Sequence, residues 1–238
     1  TIITCDAEHM KGAIQKYGVP ADKIKVIYFG TDLNQFNPDK KDSNIRKELG
    51  FEDDTKLIIS LRSLKPIYDI PTFIRAIPLV LEKVKAARFI VVGDGPEKDN
   101  LIRLSQGLGI DNKVRFSGRL SDDDLQRYTA SANIYVSTSL SDGGLAASTA
   151  EAMACEIPVV ITDFGNNSEW VENNKSGLLF KLQDFKGLAD GIIYLLNNPE
   201  QAAEMARRGK EIIYERNNWY KEMEKVEHIY QELASRRM

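Results

Sequence analysis

Short apolar runs rich in β-branched residues alternate along the chain with segments of helical periodicity. Predicted strands cover residues 57–61, 89–92, 114–116, 134–136 and 159–162. Predicted helices cover residues 72–85, 98–108, 122–131, 147–155, 185–197 and 200–215. Strands that alternate with helices build a parallel sheet with helices on both faces. This pattern predicts a doubly wound, Rossmann-like α/β fold.

The two ends of the chain follow a different pattern. Residues 1–36 contain a predicted strand at 2–4, a helix at 7–17 and a strand at 25–28, before a polar, turn-rich linker at 37–43. One such unit cannot bury both of its faces, so we expect residues 1–36 to be the end of a preceding domain and residues 37–215 to form the main domain. Residues 216–238 are predicted to form a final helix. Its apolar stripe requires a partner surface and consists of Trp219, Met223, Val226, Tyr230 and Leu233.

Composition limits the classes of protein that fit. The 238 residues are 42% hydrophobic and 28% charged, as in ordinary globular proteins. The balance of 32 Lys and Arg against 35 Asp and Glu gives a net charge of −3, which argues against nucleic-acid binding. Apolar runs are far shorter than the ~20 residues that cross a bilayer, so no transmembrane segment is predicted. The spacing of Cys5, Cys155, His9 and His228 fits neither a metal site nor a disulfide framework, which favours free thiols and a cytoplasmic protein.

The segment Val91-Val92-Gly93-Asp94-Gly95-Pro96 places two glycines between a predicted strand and a helix. In dinucleotide-binding proteins, three glycines at such a turn bring backbone amides up to a pyrophosphate. The third glycine is missing, since the position three after Gly95 is Lys98. The residues therefore favour a plain tight turn over a NAD or FAD site.

A second glycine-rich segment, residues 141–155, leads into a predicted helix through Gly143 and Gly144. Exposed backbone amides and the helix dipole would suit an anion there, and Glu151 could reach the hydroxyls of a ribose. The alternative is an ordinary helix, capped by Ser141 or Asp142 and closely packed through its alanines. The residues alone favour neither.

Two cations follow the first strand of the predicted main sheet. Arg62 and Lys65 should lie at the carboxyl edge of the sheet, where open α/β sheets bind ligands. A guanidinium and an ammonium together would suit a diphosphate, although each cation taken singly fits a solvated surface charge better. Their placement opposite a glycine-rich helix start favours the diphosphate.

Several segments, in this order, resemble the carboxyl-terminal domain of the retaining, nucleotide-sugar-dependent glycosyltransferases of the GT-B fold, the family-4 group. The resemblance runs almost from end to end. It rests on residues 26–36, 91–96, 114–118 with the helix that carries Leu125 and Tyr128, 151–155, 158–160 and 176–179.

This resemblance implies roles for single residues. Arg62 and Lys65 would hold the donor diphosphate, assisted by the backbone of Gly143, Gly144, Leu145 and Ala146. The backbone near Arg119 and Leu120 would meet the base, and Glu151 the ribose. Gly30, Gly93 and Gly95 lie in the family's interdomain and strand-turn motifs and are taken as substrate-binding.

The sequence departs from the family at three points. In the family, a first glutamate stands eight positions before the second, which is Glu151 here; this chain has Gly143 at that position. Either a one-residue insertion puts Asp142 in the role of the first glutamate, or backbone alone holds the sugar. Leu61 replaces the glycine before the arginine, and Lys65 follows Arg62 by three positions instead of five. These departures concern the donor sugar more than the reaction class.

The resemblance implies transfer, with retention, of a hexose-type sugar from a nucleoside diphosphate to a glycan, lipid-linked or small-molecule acceptor. No metal is expected, because cations and a helix N-terminus would meet the leaving group. The acceptor would bind a missing first domain, so this chain is expected to bind nucleotide without turnover. The whole enzyme could lie at a membrane surface. Two alternatives stay open: a nucleotide-sugar epimerase or hydrolase of the same fold, and a non-catalytic nucleotide-sugar-binding module.

Overall fold

A computed structural model describes residues 1–235, and its main sheet has six parallel strands. These strands are β3 (Lys56–Leu61), β4 (Ala87–Val92), β5 (Val114–Gly118), β6 (Ile134–Ser137), β7 (Val159–Thr162) and β8 (Leu178–Phe180), in the spatial order β5-β4-β3-β6-β7-β8. The predicted doubly wound parallel sheet is confirmed. The edge strand β8 was not predicted.

Helices cover both faces of this sheet. They are α2 (Ile45–Glu48), α3 (Ile70–Lys83), α4 (Lys98–Gly107), α5 (Asp122–Ser131), α6 (Ala147–Ala154), α7 (Asn167–Trp170), α8 (Phe185–Asn197) and α9 (Pro199–Arg216). The six predicted helices agree with these bounds within two residues. The four-residue helices α2 and α7 were not predicted.

Alternation along β3 sends neighbouring side chains to opposite faces of the sheet. Ile58 belongs to a core with Phe73, Phe89 and Leu188, under α3 and α8. On the other face Ile59 joins a core under α6 and α9 that includes Tyr135, Met153 and Ile213. Both faces of the sheet are therefore buried under helices.

The strand order reverses between β3 and β6, which pair through Ile58 with Ile134 and Ile59 with Tyr135. The crossover connections from these two strands run to opposite sides, which opens a crevice at their carboxyl ends. Residues that follow β3 and β6 in the chain are thereby brought to the crevice.

The first 36 residues form a small unit of their own. Strands β1 (Ile3–Cys5) and β2 (Ile24–Val26) pair in parallel, and α1 (Glu8–Gln15) connects them. The predicted linker that follows is held on α5, where Ser131 Oγ accepts from the Asp42 amide at 2.8 Å. Arg127 also pairs with the Asp42 carboxylate at 2.7 Å.

The last helix, α10 (Trp219–Ser235), returns to this amino-terminal unit; residues 236–238 of the predicted final helix lie outside the described residues. The buried Glu222 carboxylate accepts from the Tyr28 amide at 3.0 Å. Along the predicted apolar stripe, Met223, Val226 and Leu233 are half-buried, whereas Trp219 is 41% and Tyr230 68% exposed. No helix within residues 1–235 is both long and apolar enough to cross a membrane.

Candidate functional site

The loop after β3 is built against the glycine turn after β4. The Arg62 amide donates to the Val92 carbonyl and the Leu64 amide to the Asp94 carbonyl, each at 3.0 Å. Gly93 has a φ of +132°, and a Cβ there would lie 2.0 Å from the Arg62 carbonyl oxygen. A Cβ on Gly95 would lie 2.5 Å from the Leu64 carbonyl oxygen. Both glycines therefore serve a tight turn that shapes the Arg62 loop, while direct contact with a substrate remains a prediction.

The Arg62 side chain lies at the crevice and is held from two sides. Its guanidinium stacks over the Tyr68 ring at 4.6 Å and forms an ion pair with the Asp142 carboxylate. The Arg62 and Asp142 side chains are only 10% and 15% exposed, so water screens this pair less than a surface pair. The Arg62 Nε is buried and has no hydrogen-bond partner in the described part of the chain. Lys65 is exposed three residues later.

The glycine-rich loop after β6 brings Asp142 to Arg62 and then opens α6. This helix begins at Ala147, and no side chain caps its first turn, so capping by Ser141 or Asp142 is wrong. The first turn is fixed to β6 instead, because the Tyr135 hydroxyl bonds the Ser148 hydroxyl at 2.8 Å. The uncapped amino end of α6 and the Arg62 cation thus meet through one loop.

Glu151 lies one turn into α6, in a small cleft between α6 and the amino-terminal unit. Burial raises the pKa of its carboxyl to about 7. The cleft is also lined by Asp6, Tyr28, Phe29, Gly30, Thr31, Leu145, Ala147, Trp170 and Asn217. The predicted site residues Glu151, Gly30 and Leu145 are therefore brought together. The sequence did not indicate Asp6 and Asn217, because both lie far from Glu151 along the chain and no motif connects them to it.

The remaining predicted residues lie along the same edge of the sheet. Gly118, the last residue of β5, accepts from the Gly93 amide at 2.7 Å, so the next residues, Arg119 and Leu120, follow beside the glycine turn. Arg119 is exposed and Leu120 packs partly on the core. Because two strand positions separate β5 from β3, Arg119 extends the site outward from Arg62.

Asn166, in the loop after β7, was not singled out from the sequence. This residue is buried, and its amide Nδ2 has no hydrogen-bond partner among residues 1–235. Its neighbour Gly165 lies against the Asp142 loop, since a Cβ there would be 3.8 Å from the Asp142 carbonyl oxygen. Within the described residues, no cluster of three or more His, Cys, Asp or Glu side chains could hold a metal ion.

The α/β fold is that of the GT-B glycosyltransferases. The chain belongs to the glycosyl transferases group 1 family, whose model matches residues 41–212.

Curated relatives agree with this family. A GDP-mannose-dependent phosphatidylinositol monomannoside mannosyltransferase of Corynebacterium glutamicum is 30% identical over 210 residues, which cover 85% of this chain and 54% of that protein. The N-acetyl-alpha-D-glucosaminyl L-malate synthase of Bacillus anthracis is 28% identical over 205 residues, 86% of this chain and 50% of that protein. The chain spans about half the length of the curated relatives it matches.

Solved structures share the fold. The Anabaena HepE protein in complex with UDP-glucose superposes with a TM-score of 0.85 at 24% identity, over 97% of this chain and 64% of that one. Sucrose-phosphate synthase from Thermosynechococcus elongatus gives a TM-score of 0.85 at 22% identity, over 98% of this chain and 58% of that one.

Proposed function

We propose that this chain is the donor-binding part of a retaining glycosyltransferase that moves a hexose-type sugar from a nucleoside diphosphate to an acceptor. One observation carries the proposal: Arg62, at the end of β3, meets the loop that leads into the uncapped amino end of α6. A cation and a helix N-terminus on two sides of a switch-point crevice form a site for a diphosphate. Family membership supports the same conclusion.

The chemistry needs such a site. The bond between the anomeric carbon and the diphosphate oxygen breaks, and its electron pair leaves with the diphosphate, on which negative charge develops. The oxygen of an acceptor hydroxyl bonds the same face of that carbon, and the hydroxyl proton passes to the leaving diphosphate oxygen. Preorganised donors aimed at developing charge are an effective means of lowering a barrier. In this proposal Arg62, Lys65 and the first amides of α6 meet that charge, so no metal ion is required. Glu151 would hold the ribose hydroxyls, and the backbone near Arg119 and Leu120 the base.

The names of similar proteins support two candidate bases for the donor nucleotide. Relatives of the chain are named for GDP-mannose, and a solved relative of the same fold holds UDP-glucose. A uridine or guanosine nucleotide therefore has more support than an adenosine nucleotide. The acceptor, a glycan, a lipid-linked sugar or a small molecule, would bind protein outside this chain, so we expect nucleotide binding without turnover.

Calorimetric titration of the chain with UDP, GDP and ADP, each with and without EDTA, tests the proposal. We expect one diphosphate to bind with an affinity that the chelator leaves unchanged. Arg62→Gln should weaken this binding roughly 10- to 100-fold, the scale of one or two charge-assisted hydrogen bonds. The exposed Arg103 of α4 donates to the Asn100 side chain at 2.6 Å. Arg103→Gln is the matched control, for which no change in binding is expected.

Two results would contradict parts of this proposal. If none of the three nucleotides binds at millimolar concentration, donor binding by this chain is wrong. If binding disappears in EDTA, the metal-free site is wrong. Circular dichroism of each variant shows whether a loss of binding comes from a loss of folding.

A further inference from the structure

Asp142 is paired with the cation that the proposed site offers to a phosphate, Arg62. The carboxylate pairs with a terminal nitrogen of the guanidinium, and both side chains are largely buried. A phosphate that enters the crevice therefore meets a carboxylate already bound to its cation. Two anions that share one guanidinium repel each other, more strongly where the dielectric constant is low.

Arg62 itself has little freedom to move toward a ligand. Its backbone is fixed by Gly93 and Val92, and its guanidinium is stacked on Tyr68. Asp142, in contrast, belongs to a loop with two glycines, Gly143 and Gly144, of which Gly143 is exposed. Exchange at Arg62 therefore has to come from movement of Asp142.

A second hydrogen-bond donor lies in the loop after β7, whose backbone approaches that of Asp142. The buried amide Nδ2 of Asn166 has no hydrogen-bond partner within the described residues, and a Cβ on its neighbour Gly165 would lie 3.8 Å from the Asp142 carbonyl oxygen. An unpaired buried amide is costly, so this group favours an acceptor when one moves within reach. A carboxylate released from Arg62 would find such a donor in the same loop cluster.

We propose that Asp142 competes with the donor's phosphate for Arg62, and that phosphate binding transfers Asp142 from Arg62 to the amide of Asn166. This inference rests on the proposed function, and it assigns to Asp142 control over how tightly a diphosphate is held. A ligand that cannot displace the carboxylate gains nothing from the Arg62 cation. Asp142 thus discriminates against weak anions.

The opposite reading is an ordinary structural ion pair that keeps Arg62 in place. The two readings predict changes of opposite sign when Asp142 loses its charge. A structural pair predicts weaker phosphate binding, because Arg62 would lose its support. Competition predicts tighter binding, because the phosphate no longer displaces a carboxylate.

The test is calorimetric titration of Asp142→Asn with inorganic pyrophosphate and with the diphosphate among UDP, GDP and ADP that binds best. We expect dissociation constants roughly 3- to 30-fold lower than for the wild type, and no change for the free nucleoside, which has no phosphate. The control is Asp163→Asn, which removes an equal charge from an exposed residue at the end of β7 and should leave both constants unchanged.

A second variant tests the role of Asn166. Asn166→Ala should weaken phosphate binding several-fold in the wild type and leave it unchanged in the Asp142→Asn background, because the amide acts only through the released carboxylate. An equal loss in both backgrounds would overturn the transfer to Asn166.

The failures can be told apart. If the wild type binds a diphosphate and Asp142→Asn binds it equally tightly or more weakly, competition is wrong and the proposed donor site survives. If neither protein binds any diphosphate or pyrophosphate, the donor site is wrong and competition with it.

Discussion

Gly93 and Arg62 are in such close contact that a Cβ on the glycine would lie 2.0 Å from the arginine carbonyl oxygen. The same glycine donates its amide to Gly118 at 2.7 Å. One residue without a side chain therefore joins the loops that follow β3, β4 and β5. The position of the Arg62 cation depends on this turn.

Replacement of Gly93 by alanine should damage both the fold and the site. The backbone has a φ of +132°, which side chains rarely adopt, and the new Cβ would overlap the Arg62 carbonyl. We expect the free energy of unfolding to fall by about 3 kcal/mol or more, the sum of backbone strain and overpacking. Urea denaturation measures this loss, and calorimetry should show weakened diphosphate binding by the protein that remains folded.

The control for this change is Gly107→Ala, at the end of α4. A Cβ there meets nothing within 4 Å, so the variant should be as stable as the wild type or slightly more stable. Equal stability of the two alanine variants would show that the turn tolerates a side chain.

Tyr68 should act as a positioning residue for Arg62. The centre of its ring lies 4.6 Å from the guanidinium carbon. Its backbone carbonyl accepts from the Thr138 hydroxyl at 2.8 Å, which holds the Tyr68 backbone on the loop after β6. Tyr68→Leu should weaken diphosphate binding roughly 3- to 10-fold, since a partly desolvated cation–π contact is worth about 1 kcal/mol. Tyr68→Phe keeps the ring and should bind like the wild type; an equal loss in both variants would assign the effect to the hydroxyl.

Glu151 predicts a pH-dependent stability. Burial raises the pKa of its carboxyl to about 7 in the folded chain, against 4.5 as the ordinary value. Between these two values the folded state holds a proton that the unfolded state has lost, so this group makes stability fall as pH rises. The full effect, present above about pH 7, is on the order of 3 kcal/mol.

Glu151→Gln removes this titration. In urea denaturation at pH 5, 6, 7 and 8, the free energy of unfolding of the variant relative to the wild type should rise between pH 5 and pH 7 and level off by pH 8. Cys155, one turn further along α6, also has its pKa raised, to about 12, by burial and by the Glu151 charge, and so stays neutral throughout this range. A stability difference that does not change with pH would contradict the raised pKa of Glu151.

Much of the fold could be predicted from local pattern. The long helices and most strands carry enough apolar positions to be recognised, whereas the four-residue helices α2 and α7 are too short to show helical periodicity. The final helix shows a second limit. Its apolar stripe is half-buried at Met223, Val226 and Leu233, but the most deeply buried residue of the helix is Glu222, which the pattern did not indicate. A carboxylate that accepts a backbone hydrogen bond is satisfied inside the protein.

The position of the candidate site at the edge of the sheet could be predicted, but the contacts between its side chains could not. Arg62 and Glu151 were found because their elements end or begin at the carboxyl edge of the sheet. The pairing of Arg62 with Asp142 joins residues 80 positions apart, and no pattern in the sequence tells which way two side chains turn within a crevice. The unpaired amide of Asn166 is likewise a property of packing.

The junction between residues 28–31 and the start of α10 should be the point where the final helix can be detached. Gly30 has a φ of +76°, and a Cβ there would lie 2.4 Å from the Trp219 Cα. The Thr31 amide donates to the Asn217 carbonyl at 2.6 Å, and its carbonyl accepts from Trp219 at 3.1 Å. Gly30→Ala should push these two backbone segments apart and detach α10 from residues 28–31, with little effect on the main sheet.

Limited trypsin digestion followed by mass spectrometry measures this detachment at Lys221 and Lys225. We expect cleavage there to become roughly tenfold faster in Gly30→Ala, because local opening that costs about 1.4 kcal/mol less is ten times more populated. Gly12→Ala, in α1, is the control, since a Cβ at that glycine meets nothing within 4 Å. Unchanged cleavage in Gly30→Ala would mean that α10 is held by contacts other than this junction, with the Glu222 carboxylate on the Tyr28 amide the next bond to remove.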